Sequence, residues 1–168
     1  MSGTTAAGSA GLRGDEDDAA AAAWARDGRR PVLLVEDDED DAELIAHAFR
    51  RAGLANPLER ASDGERARDR LAHQDAPPPA LVLLDLKLPR LSGHEVLAWL
   101  RAHASEAVRR LPVVVLTSSD REDDVRRAYD LGANSYLVKP VGAASLADMA
   151  RGLREYWLVL NRPAGAAD

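Results

Sequence analysis

Three short runs constrain this chain more than anything else in it: VLLV (32–35), LVLL (81–84) and VVVL (113–116). Each is apolar at consecutive positions instead of alternating, which is the pattern of a strand buried on both faces. Strands of that kind belong to parallel sheets, whose crossover helices cover both sides. Stretches of helical period fall between them. DDEDDAELIAHAFRRAG (37–53) has acids in its first turn, Leu44, Ile45, Ala48 and Phe49 on one side, and Gly53 as a stop. LERAS (58–62) reads as a weaker strand and DGERARDRLAH (63–73) as a helix opening at Ser62 or Asp63. SGHEVLAWLRAH (92–103) predicts a helix with Val96, Leu97 and Leu100 inward, and REDDVRRAYDLG (121–132) one that closes at Gly132. NSYLV (134–138) is a last strand and AASLADMARGLREYWLVLN (143–161) a long final helix. Five strand–helix units predict a doubly wound α/β fold with right-handed crossovers.

A chain of 168 residues suits one domain. Its expected limits are 29–161, with a disordered tail over 1–28, rich in small residues and acids, and a flexible tail over 162–168. The absence of cysteine excludes disulfides, thiolate catalysis and Cys-ligated zinc. A net charge of -6 and a pI near 5.2 disfavour nucleic acid and anionic membrane as partners. No apolar stretch of roughly 18 residues is present, and the first residues lack the pattern of a signal peptide. A cytoplasmic protein is expected.

In sheets of this type functional groups gather at the carboxyl ends of the strands. The first strand ends in Glu36-Asp37, the third in Asp85, the fourth in Thr117-Ser118, and the fifth reaches Lys139-Pro140. Three carboxylates brought together repel and require a cation. Oxygen donors without sulfur or clustered histidine point to Mg2+, with Mn2+ as a substitute. A carboxylate, a divalent cation, a lysine and a hydroxyl at one rim suit a transferring phosphoryl group, with Asp85 as the best nucleophile because it stands alone on the central strand.

VLLVEDD, LVLLDLKLPRLSG, VVVLTSS and NSYLVKP, in that order, resemble the four motifs of bacterial two-component response-regulator receiver domains, across residues 31 to about 160. The resemblance implies a flavodoxin-like parallel sheet of order 2-1-3-4-5 with helices on both faces. It implies Asp85 as phosphoacceptor, Asp37 as direct metal ligand, Glu36 assisting through water, and the backbone carbonyl of Lys87 as a further ligand. Thr117 and Lys139 would contact the phosphoryl group, Thr117 and Tyr136 would act as the switch, and the Lys139–Pro140 bond would be cis. VEDDEDDAELI, LPVVVLTSSDREDDV and REYWL further resemble the small single-domain response regulators of bacterial and cyanobacterial phytochromes. That likeness implies a sensor histidine kinase of bacteriophytochrome type as partner, and a signalling protein instead of a turnover enzyme. Two other readings compete: a Mg2+-dependent phosphatase with an aspartyl intermediate, which would need an acid where Lys87 stands, and a pseudo-receiver acting without phosphorylation.

The remaining residues are read more plainly. Asp38, Asp40 and Asp41 are expected as a helix N-terminal acid cluster and not as extra ligands. His47, His73, His94 and His103 lack ligand spacing and are expected on the surface, and the arginine-rich 60–70 region as a solvated face. Leu146, Met149, Ala150, Leu153, Trp157 and Leu160 follow 3–4 spacing and predict one inward stripe. A helix over 143–160 would be roughly 27 Å long, against ~17–20 Å for a strand, so its last turns should overhang. A symmetric homodimer is expected there, with Val125, Ala128, Tyr129, Tyr156, Trp157, Leu158 and Leu160 at its interface.

Overall fold

A computed structural model describes residues 29–73, 75–103 and 105–162; the tail over 1–28 and all but Arg162 of the C-terminal tail lie outside the described residues. Five strands, β1 (Val32–Val35), β2 (Leu58–Ala61), β3 (Leu81–Leu84), β4 (Val113–Thr117) and β5 (Ser135–Val138), form one parallel sheet in the order β2-β1-β3-β4-β5. Six α-helices connect and follow them: α1 (Glu39–Arg51), α2 (Gly64–Ala72), α3 (Gly93–Arg101), the short α4 (Glu106–Arg109), α5 (Glu122–Asp130) and α6 (Ala143–Leu153). The sheet order and parallel direction are as the motifs imply. The one-turn α4 is an addition, too short to show a helical period in the sequence.

The pleat sorts the continuous apolar runs between two cores. Val32, Leu34, Leu81, Leu83, Val114 and Leu116 face Ile45 and Phe49 of α1 and Leu146, Ala150 and Leu153 of α6. Their neighbours Leu33, Val35, Val82, Leu84 and Val113 face Ala67 and Leu71 of α2 and Val96, Leu97 and Leu100 of α3. Successive strand side chains point to opposite faces, so an uninterrupted run serves both layers. Each fully buried Leu or Phe contributes about 1.5–3 kcal/mol through burial alone. Ala128 of α5 is completely buried with Leu86 and Val115, and Tyr136 packs at the edge of this third cluster. Ala128 is therefore a core residue and not part of an interface: the small methyl lets α5 lie close on the sheet.

Local signals set the helix ends. The Asp38 side chain caps α1 by accepting from the Asp41 amide at 2.9 Å. Ser92 and Glu95 form a reciprocal capping box that starts α3. Gly53 and Gly132 end α1 and α5 at φ of 75° and 93°, in the left-handed region that favours glycine.

After Leu153 the helix widens into a π-helical segment, Arg154–Leu160. Bonding then passes from i→i+4 to i→i+5, and the 3.6-residue period no longer holds. Trp157 and Leu158 are half-buried against the first core, whereas Leu160 is 66% exposed, contrary to the inward stripe expected from 3–4 spacing. Arg154 Nε also donates to the Gly53 carbonyl at 3.1 Å, tying this segment to the end of α1. The expected overhang is thus partly folded back, leaving Tyr156, Val159 and Leu160 outward.

Candidate functional site

The carboxyl ends of β1, β3, β4 and β5 meet at one rim. Glu36, Asp37 and Asp85 each offer a carboxylate oxygen within 4.8 Å of the others, with Glu36 and Asp85 buried and Asp37 exposed. Extended strands fix this convergence: the Glu36 amide donates to the Ala61 carbonyl at 3.0 Å, and the Asp85 amide to the Val35 carbonyl at 3.0 Å. Opposite them the Lys139 amide donates to the Thr117 carbonyl at 2.7 Å, which aligns the lysine one residue beyond β5. Lys139 Nζ then donates to Glu36 Oε2 at 2.6 Å, Asp41 Oδ2 at 2.9 Å and Asp85 Oδ2 at 3.0 Å. The peptide bonds among the described residues are all trans, Lys139–Pro140 included, which corrects the expected cis bond. The trans form is the favoured one even before proline.

Electrostatics follow from this crowding. Burial pushes the Glu36 carboxyl above its ordinary range; Asp85 adds to the rise and the Lys139 hydrogen bond opposes it. Burial alone would lower the Lys139 pKa, but its bonds to Glu36 and Asp41 and the field of Asp85 raise it well above the ordinary value. The donor set fits a divalent metal: all-oxygen, with three carboxylates in reach of one point, beside a Lys139 ammonium that pairs with three acids. Glu36, Asp37 and Asp85 would hold it from their side chains.

The adjoining β4–α5 segment is linked to the same rim. Thr117 is fully buried, and its Oγ1 accepts from the Ser119 amide at 3.4 Å. The Tyr136 hydroxyl donates to the Ser119 carbonyl at 2.9 Å, and burial raises the pKa of its phenol. Ser119 Oγ donates to Asp124 Oδ2 at 2.6 Å in the first turn of α5. His94 is buried beside this turn, its Nε2 3.4 Å from the Asp124 carbonyl oxygen. The expectation of a surface histidine fails there because the first turn of α3 packs under α5. The Lys87 amide donates to Asp85 Oδ1 at 3.2 Å, and its ammonium donates to Ser118 Oγ at 3.4 Å.

Two contacts escaped the reading of the sequence. Asp41 belongs to the expected acid cluster at the start of α1, yet its carboxylate reaches Lys139. Nothing in that cluster distinguishes Asp41 from its neighbours, because only the packing of the helix against the end of β5 brings one of them to the lysine. Arg60, assigned to a solvated face, donates from Nε to the Glu36 carbonyl at 3.1 Å and from Nη2 to the Asp37 carbonyl at 3.0 Å. No sequence signal marks that bond, because an edge-strand arginine reads the same whether it is clamped or free.

Among the proteins of known family, residues 32–151 match the response regulator receiver domain. That span covers most of the chain, with the acid cluster and Lys139 inside it, and the chain belongs to the response regulator receiver family. It is 45% identical over 139 residues to the probable methanogenesis regulatory protein FilR2 of Methanothrix harundinacea, covering 81% of this chain and 88% of that one. It is 38% identical over 131 residues to the response regulator Rcp1 of Synechocystis, covering 76% of this chain and 88% of that one. Rcp1 has been solved in a Mn(2+)-bound form, which matches with a TM-score of 0.71 at 36% identity, covering 80% of this chain and 98% of that chain. The phosphorylated cyanobacterial phytochrome response regulator RcpA superposes with a TM-score of 0.74 at 34% identity, over 81% of this chain and 99% of that one. The protein is a receiver-domain response regulator similar to the phytochrome response regulators.

Proposed function

We propose that Asp85 accepts a phosphoryl group from a phosphohistidine of a sensor histidine kinase, with Mg2+ as cofactor and Mn2+ as a substitute. The observation that carries this reading is the convergence of Asp85, Glu36, Asp37 and Lys139 on one rim. An electron pair on Asp85 Oδ forms the new O–P bond as the P–N bond breaks, and the P–N bonding pair stays on the imidazole nitrogen of the kinase. Lys139 stands where it can pair with a phosphoryl oxygen, and Asp37, the exposed member of the cluster, is the side chain most open to a metal and its waters. Glu36 assists, and the Lys87 carbonyl is the further ligand. The bound cation supplies charge neutralisation of the phosphoryl oxygens.

Thr117 is the hydroxyl that then bonds the phosphoryl group, and Tyr136, tied to the carbonyl of Ser119, follows the shift of this segment. The two residues together bias the α5–β5 surface toward a partner-binding form. Similarity to Rcp1 and RcpA supports a phytochrome-type kinase, while similarity to FilR2 shows that this receiver framework also serves a regulator with a different name. A kinase of that kind presents its phosphohistidine in the cytoplasm, and we place this chain there. Lys87 stands where an aspartyl phosphatase would need its second acid, and its ammonium turns toward Ser118, which disfavours turnover chemistry.

We further propose a homodimer through Tyr129, Tyr156, Trp157, Leu158 and Leu160, with Val125 at its edge. Tyr129, Tyr156, Val159 and Leu160 are exposed apolar side chains, and Tyr156 also lines, with Leu137, Met149, Leu153 and Trp157, a groove of about 510 Å3.

Acetyl phosphate labelling tests the central claim. Wild-type protein should acquire a Mg2+-dependent, acid-stable and base-labile label that Asp85→Asn abolishes. A label that persists in Asp85→Asn overturns the assignment.

A further inference from the structure

We infer that Asp41 is a positioning residue for Lys139: it holds the lysine ammonium at the α1 side of the site, independently of the metal-binding carboxylates. The inference deepens, and rests on, the reading of Asp85 as phosphoacceptor. A lysine ammonium has three N–H donors, and here Glu36, Asp41 and Asp85 take all three, at 2.6, 2.9 and 3.0 Å. A four-carbon stem is flexible, so acceptors on three sides define where its charge rests. Two of those acceptors have other duties, since Glu36 and Asp85 both belong to the carboxylate cluster. Asp41 stands outside that cluster. When Asp85 carries a phosphoryl group, or Glu36 turns an oxygen to a cation, Asp41 is the contact that neither event removes.

Asp41 is itself well placed for the task. Its amide is fixed by the Asp38 side chain at 2.9 Å, in the first turn of α1, so the backbone beneath its carboxylate is rigid. Lys139, one residue beyond β5, is fixed in turn by the hydrogen bond from its amide to the Thr117 carbonyl. The pair therefore spans the rim from the first helix to the last strand. Half-exposure of the Asp41 side chain keeps it accessible to water, and the ion pair is correspondingly modest. An acid at this point would also favour the helix N-terminus electrostatically, with no role in the site at all.

A double-mutant cycle separates these alternatives. At saturating Mg2+, Asp41→Asn should slow labelling by acetyl phosphate roughly two- to fivefold, the scale of a half-exposed ion pair, and Asp41→Glu should recover part of the loss. In a Lys139→Met background, Asp41→Asn should cause no further slowing. A second readout needs neither metal nor phosphate. With EDTA present and lysines labelled with 15N, the Lys139 ammonium protons should exchange with water at least about twofold faster in Asp41→Asn than in wild type. Equal slowing in both backgrounds, or unchanged ammonium exchange, overturns the inference. If the wild-type protein takes no label at all, the Asp85 reading fails by itself, and the exchange measurement still decides where Asp41 holds the lysine.

Discussion

Glu36 is a carboxyl group closed off from solvent at 1% exposure, beside a lysine and a second acid. Burial holds its pKa above the ordinary 4.5, so the folded state binds this proton more tightly than the unfolded chain does. Stability contributed by that proton is present at low pH and is lost as pH rises from the ordinary value through the raised one. Lys139 works in the opposite range: its pKa is raised as well, so its contribution persists below the ordinary 10.5 and is lost only in strong alkali. In EDTA, chemical denaturation should therefore show wild-type stability falling relative to Glu36→Gln as the pH is raised above the ordinary carboxyl value of 4.5. Parallel pH profiles for the two proteins would contradict the role given to Glu36. Mg2+ should flatten the wild-type profile, because a cation favours the charged form.

At the scale of elements, the turn from β3 into α3 does most to shape the site. It carries Asp85 and Lys87, and it can approach α3 closely only because residue 93 is glycine. A Cβ at Gly93 would lie 2.1 Å from the Asp85 carbonyl oxygen and 2.7 Å from the Leu86 Cα, both backbone atoms. Arg90 holds the same turn from outside, pairing with the buried Asp63 and, at 3.0 Å, with Glu65 of α2. Its own φ of 63° is a left-handed conformation that few residues other than glycine adopt. Gly93→Ala should thus displace the turn, lower stability by about 1–3 kcal/mol and slow labelling at Asp85. Thermal unfolding and labelling measured on one preparation would check both parts; unchanged labelling would show that the close approach does not position the acid.

On the scale of the whole molecule, the end of the last helix groups several exposed apolar side chains. Conversion of the last helix to π geometry tucks Trp157 and Leu158 against the core and turns Val159 and Leu160 out, beside Tyr156. Grouped exposed aromatic and aliphatic side chains of this kind are what an interaction surface presents. Sedimentation of the chain cut after Arg154 should show loss of the proposed dimer, with labelling at Asp85 retained. A truncated protein that still sediments as a dimer removes this surface from consideration. Trp157 also covers part of the first core, so Tyr156→Ser with Leu160→Ser is the gentler variant for the same measurement, and a dimer that survives it leads to the same conclusion.

Much of this protein is determined by sequence alone. Consecutive apolar residues in VLLV, LVLL and VVVL can be satisfied only by burial on both faces, so the parallel sheet and its two helical layers follow from the runs themselves. The placing of Glu36, Asp37, Asp85, Thr117 and Lys139 at strand ends follows too, because the strands end at those residues. Tertiary structure decided what depends on side chains meeting from distant elements. Only packing shows Asp41 against Lys139, Arg60 on the carbonyls of Glu36 and Asp37, or His94 beneath α5. Ala128 passed from surface to core for the same reason, since a helical period marks a face but does not say how closely that face lies on the sheet. The change to π geometry after Leu153 is likewise a tertiary outcome: one altered hydrogen-bond step rotates every later residue, and no residue type in REYWLVL announces it.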